Sequence, residues 1–173
     1  YDELGSKLFE QICETDEYYI TRTELSLLHV NQAEIASYVG SDVNIVEYGC
    51  GSSKKIEALL SILSNPTSYI AIDISKSHLI STATKIANNY RKIKVGAICA
   101  DFFSPLEWPK EFFVEPEKRL GFFPGSTIGN LSHRQVDAFF GYVRRTLGIK
   151  ARLLIGVDTK KTESVLYKAY NDE

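Results

Sequence analysis

The chain has 173 residues, 44% of them hydrophobic and 24% charged, which excludes a disordered, collagen-like or coiled-coil polypeptide. Twenty basic residues against 22 acidic ones leave a net charge of −2, so composition makes no case for broad nucleic-acid binding. No apolar run approaches the ~20 residues of a membrane span, and no signal peptide is visible. The chain starts at Tyr1 and contains no methionine, so the expectation is a piece of something longer. Cys13, Cys50 and Cys99 have no metal-like spacing, and His29, His78 and His133 are scattered among helical patterns. No metal site is expected, and an odd count of thiols without a secretory signal points to a reduced, cytoplasmic setting.

Residues 2–14 place Leu4, Leu8, Phe9 and Ile12 at helical spacing. After a polar break at Glu17-Tyr18-Tyr19-Ile20, Thr21 and Thr23 are candidate caps for a second helix. It carries Leu27, Leu28, Ile35 and Ala36 toward Gly40. The pattern then changes. Residues 43–48 read as a strand, closed by Gly49-Cys50-Gly51, and Ile56, Leu59, Leu60 and Leu63 follow on one helical face. Tyr69–Ile72 is a strand, and a helix from Ser75 carries Leu79, Ile86 and Tyr90. Val95–Cys99 is a third strand, followed by a Pro- and aromatic-rich stretch through Trp108 and Pro116. Leu120–Phe123 is a fourth. Ser132 and Gln135 form a capping box for a helix with Val136, Phe139, Phe140, Val143 and Leu147 on one face. Arg152–Val157 is a fifth strand, and a last helix begins near Thr162.

Near-continuous apolar strands alternating with helices imply an α/β fold, a doubly wound, mostly parallel Rossmann-like sheet buried on both faces. Residues 1–40 are expected to form an N-terminal helical segment and residues 41–173 the sheet domain.

Ligands bind beyond the carboxyl ends of such strands. The first strand ends in a glycine turn at Gly49 and Gly51, where the backbone can turn tightly against a ligand. The second ends at Asp73, an acceptor for the two hydroxyls of a ribose. The third ends in Asp101 and Phe102, an acceptor for an adenine amino group beside an aromatic face. For any one of these, a plain capped turn is an equal alternative; three in register point to a nucleoside. A dinucleotide site wants a third glycine where Lys54 stands, and no Walker loop is present. Glu47, two residues before the first glycine, would repel phosphate and suit a cation. A cationic, phosphate-free nucleoside fits these constraints, and S-adenosylmethionine is that ligand, with Lys55 placed to meet its carboxylate. The pattern resembles class I methyltransferases.

A more specific resemblance lies in Phe122-Phe123-Pro124-Gly125-Ser126-Thr127-Ile128-Gly129-Asn130, which looks like the signature of the histidine-specific N-methyltransferase family. Residues 1–9 and 17–24, Leu153–Asp158 and Ala169–Asp172 are similar to that family as well. The resemblance implies an N-methyltransferase of ergothioneine biosynthesis. It would move methyl groups from S-adenosylmethionine to the α-amine of histidine or a related amino acid, with S-adenosylhomocysteine as product. It implies that Gly49, Lys55, Asp73, Asp101 and Phe102 contact the cofactor and that Tyr19, Gly125, Asn130 and Tyr170 face the acceptor. Asn130 and Tyr19 are the expected catalytic pair, Asn130 orienting the amine and Tyr19 and Tyr170 shaping its pocket. The plain alternatives are an aromatic staple for Tyr19, a turn residue for Asn130 and a core position for Tyr170.

Two departures stand out. Cys50 replaces a serine frequent in relatives, and Ile20 replaces a proline. The family's chains continue into a second substrate-binding region missing here, so the piece alone is open to being inactive. Two other readings stay open: another amine acceptor such as a tryptophan derivative, or a non-catalytic cofactor-binding module. The expected partner is a small molecule, with no nucleic acid and no membrane.

Overall fold

The structure is a computed structural model that describes residues 3–103 and 118–171. The expected stretch through Trp108 and Pro116 lies outside the described residues. Three helices, α1 (Glu3–Ile12), α2 (Tyr19–Val30) and α3 (Gln32–Val39), precede β1 (Asn44–Tyr48). Then follow α4 (Ser53–Ile62), β2 (Ser68–Asp73), α5 (Lys76–Asn89), β3 (Lys94–Cys99) and β4 (Arg119–Phe123). The order closes with α6 (His133–Leu147), β5 (Arg152–Ile155) and α7 (Glu163–Tyr170).

All pairings are parallel and the strand order is β3-β2-β1-β4-β5, the doubly wound arrangement expected from the alternation. Side chains alternate across β1. Ile45 joins Val43, Ile56, Leu59, Tyr69 and Phe122 in one apolar layer, whereas Val46 and Tyr48 join Ile70, Ile72, Phe123 and Phe139 in the other. Leu28 and Val39 of the N-terminal helices belong to the first layer, so α2 and α3 share its core. β1 pairs with β2 on one side and β4 on the other, so the chain reverses direction across the sheet at β1. The ends of β1, β2 and β3 are therefore neighbours.

Three local expectations change. The single helix running to Gly40 is two, broken at Asn31, whose backbone N–H and side-chain amide both donate to the Leu27 carbonyl. Thr21 and Thr23 are not caps, because α2 already begins at Tyr19 and Thr21 is buried within it. Packing sets that start rather than capping. Tyr18, buried, stands edge-on to Phe9 and Tyr170 with ring centroids 5.8 Å apart in each pair. β5 ends at Ile155 rather than Val157; Gly156 gives one last N–H to the Phe123 carbonyl before the chain leaves the sheet. The capping box at α6 is as expected: Ser132 accepts from the Gln135 N–H and Gln135 accepts from the Ser132 N–H.

Candidate functional site

At the carboxyl ends of β1, β2 and β3 lies a cavity of about 430 Å³, a size suited to a small ligand. Gly49, Gly51, Asp73, Asp101 and Phe102, all singled out at the strand ends, line it together. Gly49 and Gly51 have φ of +77° and +35°, a backbone that side chains rarely adopt, and a Cβ on Gly49 would abut the Phe102 ring at 3.8 Å. The turn then enters α4 through Ser52, which accepts the Lys54 N–H.

Each carboxylate is held by one oxygen. Asp73 Oδ1 accepts the Ser75 N–H at 2.9 Å, and its Oδ2 meets only the weak Cys50 thiol donor at 3.7 Å among the described residues. Asp101 Oδ1 accepts the Phe103 N–H at 2.9 Å. Both side chains keep acceptor capacity directed by short turns rather than by long flexible stems. Phe102 is fixed by Tyr48, Phe103, Phe123 and Phe139, with centroids 4.7 to 6.2 Å away. Burial and the nearby Glu47 and Asp73 charges push the Cys50 thiol far up, so Cys50 is neutral filling and no nucleophile.

Several wall residues escaped the sequence reading. Phe9 of α1, Ile74, His78, Phe103 and Thr127 also line the cavity. His78 Nε2 is hydrogen-bonded to the Gly51 carbonyl, which ties α5 to the glycine turn. The position of Phe9 is the least legible of these, because α1 reaches the cavity only through tertiary packing.

Glu47, expected to face a cation, does not line the cavity. It is wholly buried within the sheet, where Tyr69 donates its hydroxyl to Oε2 at 2.5 Å. Burial, with further repulsion from Asp73 and Glu24, pushes its carboxyl up to about 8 against the pull of Tyr69 and Lys55. At neutral pH it is largely the uncharged acid.

Lys55 also lies off the cavity wall. Its ammonium pairs with Glu24 Oε2 at 2.8 Å, both side chains being mostly shielded from water. The Gly125 N–H, at the start of the loop after β4, points to both oxygens of that same carboxylate at 3.0 and 2.9 Å. Tyr19 lines a second, smaller recess with Glu24, Ser126, Gly156 and Asp158. Its hydroxyl donates to Asp158 Oδ2 at 2.5 Å, and Lys161 binds the other Asp158 oxygen at 2.8 Å. Burial first, then Asp158, pushes the Tyr19 phenol up to about 12. Asn130 ends a 3₁₀ turn, Thr127–Asn130, and is exposed. Tyr170 is 62% exposed at the end of α7, edge-on to Tyr18. Neither lines the cavity or the recess. Tyr19 thus shares the recess with Glu24, whose carboxylate takes the Gly125 N–H, while Asn130 and Tyr170 stand apart from both hollows.

The donor set suits a nucleoside better than a phosphate. Two carboxylates and an aromatic ring face the cavity beside a glycine turn, and its walls carry no lysine or arginine among the described residues. No group of His, Cys, Asp and Glu among those residues is arranged to hold a metal ion. No described helix is long and apolar enough to cross a membrane.

The comparisons with known proteins agree with this geometry. A family model described as histidine-specific methyltransferase, SAM-dependent, matches residues 1–173. The chain is 37% identical to a histidine N-alpha-methyltransferase of Mycobacterium tuberculosis, over 99% of this chain and 53% of that protein. It is 31% identical to ergothioneine biosynthesis protein 1 of Neurospora crassa, over 100% of this chain and 20% of that protein. The chain thus spans about half the length of the first relative and less of the second. Among solved structures, that of the small RNA methyltransferase HEN1 superposes with a TM-score of 0.52 at 16% identity, covering 74% of this chain and 16% of that one. That likeness concerns the fold alone.

Proposed function

We propose, starting from the fact that this chain belongs to the histidine-specific, SAM-dependent methyltransferase family, that it forms the cofactor-binding part of an N-methyltransferase. The acceptor is the α-amine of histidine or a closely related amino acid. The observation that carries this reading is the cavity at the ends of β1, β2 and β3, where Gly49, Gly51, Asp73, Asp101 and Phe102 converge.

The residues present fit the cofactor. Asp73 offers acceptor oxygens for a ribose, Asp101 an acceptor for an exocyclic amine, and Phe102 a braced ring for a base. The left-handed turn at Gly49 and Gly51 lets the backbone approach without a Cβ in the way. When bound, S-adenosylmethionine supplies an electrophilic methyl group on a sulfonium, and S-adenosylhomocysteine is left. The two carboxylates favour a cationic ligand over a phosphate-bearing one.

The chain's own contribution is placement. Holding the reacting atoms in line is worth up to ~7–11 kcal/mol in ideal cases. The attacking α-amine must be neutral, and a free amino acid is mostly the ammonium form at pH 7, so losing that proton adds to the barrier of a first transfer. The amine-facing role goes to Asn130, with Tyr19, Gly125 and Tyr170 bounding the acceptor side. Tyr19 has committed its proton to Asp158, so its oxygen is left as an acceptor toward an N–H group. The three cysteines are free thiols, which supports a cytoplasmic setting.

The test is incubation of the full-length protein with labelled cofactor and a panel of amino acids and tryptophan-derived amines, with products identified by mass. Methylated histidine is the expected product. Cofactor binding with no methylation of any amine would instead identify a non-catalytic binding module. In parallel, Asp73→Ala removes hydrogen bonds to a charged group worth ~1.5–3 kcal/mol and should weaken cofactor binding about 10-fold or more.

A further inference from the structure

Glu24 was not expected to matter, yet four parts of the chain converge on its carboxylate. Helix α2 carries it, α4 sends Lys55 to it, the loop after β4 gives it the Gly125 N–H, and the segment after β5 closes over it. The packing is specific to glycine at two of these places. A Cβ on Gly156 would stand 1.9 Å from Glu24 Oε1, and a Cβ on Gly125, where φ is +82°, would stand 3.0 Å from Lys55 Nζ. The carboxylate is wedged between backbones, with no room to rotate toward Gly156. At 13% and 14% exposure the Glu24–Lys55 pair is screened weakly by solvent ions.

We propose that Glu24 is a positioning residue that couples the two halves of the site, linking the lysine on the cofactor side to the glycine loop on the acceptor side. This rests on the proposed function and on the family resemblance, which assigns Lys55, off the cavity wall here, to the cofactor's carboxylate and Gly125 to the acceptor. An ammonium has three N–H donors, and Lys55 directs one to Glu24, so a ligand carboxylate is accommodated by sharing Lys55. Sharing draws the ammonium from Glu24, and the same Glu24 oxygens set the direction of the Gly125 N–H. A ligand on one side therefore changes the resting geometry on the other. The effect is a coupling free energy, and by linkage each ligand alters the affinity for the other by the same factor.

The experiment is titration calorimetry on the full-length protein. Histidine affinity is measured with and without saturating S-adenosylhomocysteine, which reads binding without turnover. The parent protein should show an affinity ratio of at least ~5-fold, the lower end of ordinary coupling between sites. Glu24→Ala should bring the ratio within about 2-fold of unity, and Glu24→Gln should reduce it toward that value. Glutamine keeps an oxygen for the Gly125 N–H but lacks the charge that holds Lys55, so it carries the test if the alanine variant fails to fold. Glu57→Gln, on the same helix as Lys55, breaks a more exposed ion pair with Lys85 of α5 and should leave the ratio unchanged. A parent ratio near unity, or an unchanged ratio in Glu24→Gln, overturns the coupling role while leaving the methyltransferase reading intact. A parent protein that binds S-adenosylhomocysteine but neither histidine nor any other amine overturns both.

Discussion

Glu47→Gln is the perturbation whose effect can be worked through most fully. Glu47 is completely buried on the central strand, and its carboxyl is pushed up to about 8, mainly by loss of hydration. In the unfolded chain it titrates near 4.5. Between those two values the folded state holds a proton that the unfolded state has released, so stability falls as pH rises. The slope is about 1.4 kcal/mol per pH unit, for a total on the order of 5 kcal/mol across the window. The contribution is fully present below pH 4.5 and lost as pH passes through about 8. The other shifted groups leave this window clear. Asp158, Glu57, Asp42 and Glu14 are lowered, and their stabilisation is lost only as pH falls below the ordinary carboxylate range. The raised tyrosines and Cys50 respond only at alkaline pH. Glutamine imitates the neutral acid at every pH. Urea unfolding at half-unit steps from pH 5.5 to 8 should therefore show a steep decline for the parent and a flat line for Glu47→Gln, with the variant gaining relative stability at the alkaline end. The same slope in both proteins would show that Glu47 does not set the pH dependence.

Three further outcomes follow from the packing. Phe139→Ala empties a fully buried position against Tyr48, Phe102 and Phe123 and should cost ~3–5 kcal/mol in chemical unfolding; a loss under 1 kcal/mol would mean the layer collapses around the gap. Ser132→Ala removes half of the α6 capping box and should cost ~1 kcal/mol, measured the same way. Asp158→Asn should bring the Tyr19 phenol down from about 12 toward 10, read as tyrosinate absorbance against Tyr19→Phe; no movement would show that burial alone sets it.

The sheet was legible because a strand buried on both faces leaves a near-continuous apolar run, as in residues 43–48 and 69–72. The cavity wall was legible for a related reason: in a parallel sheet the residues closing successive strands must be neighbours, so Gly49, Asp73 and Asp101 had to meet. The misreadings share a cause as well. Thr21 has cap chemistry, but the packing of Tyr18 against Phe9 and Tyr170 starts the helix earlier. Glu47 sits near the glycine turn, yet strand alternation sends it into the same layer as Ile45, toward Tyr69. Lys55–Glu24 and Tyr19–Asp158 join residues far apart in the chain, with only the fold to bring them together. A charged residue within an apolar central strand was the one available signal for Glu47.

The strand order also sets how long a stretch of chain each pairing has to close. The strands β1, β2 and β3 and the wall residues at their ends lie in one uninterrupted stretch, residues 44–103, and each pairs with its neighbour across one short crossover. β4 pairs with β1 only by closing a far longer loop, from Asn44 to Arg119, and the signature run Gly125–Asn130 follows it. Loop closure must precede the contacts that reward it, so pairing across this longer span carries the larger entropy cost. In a newly made chain, the residues closing β1, β2 and β3 are all present before β4 exists, but the hollow they border is completed only when Thr127 of the signature run joins its wall and Phe123 and Phe139 brace Phe102.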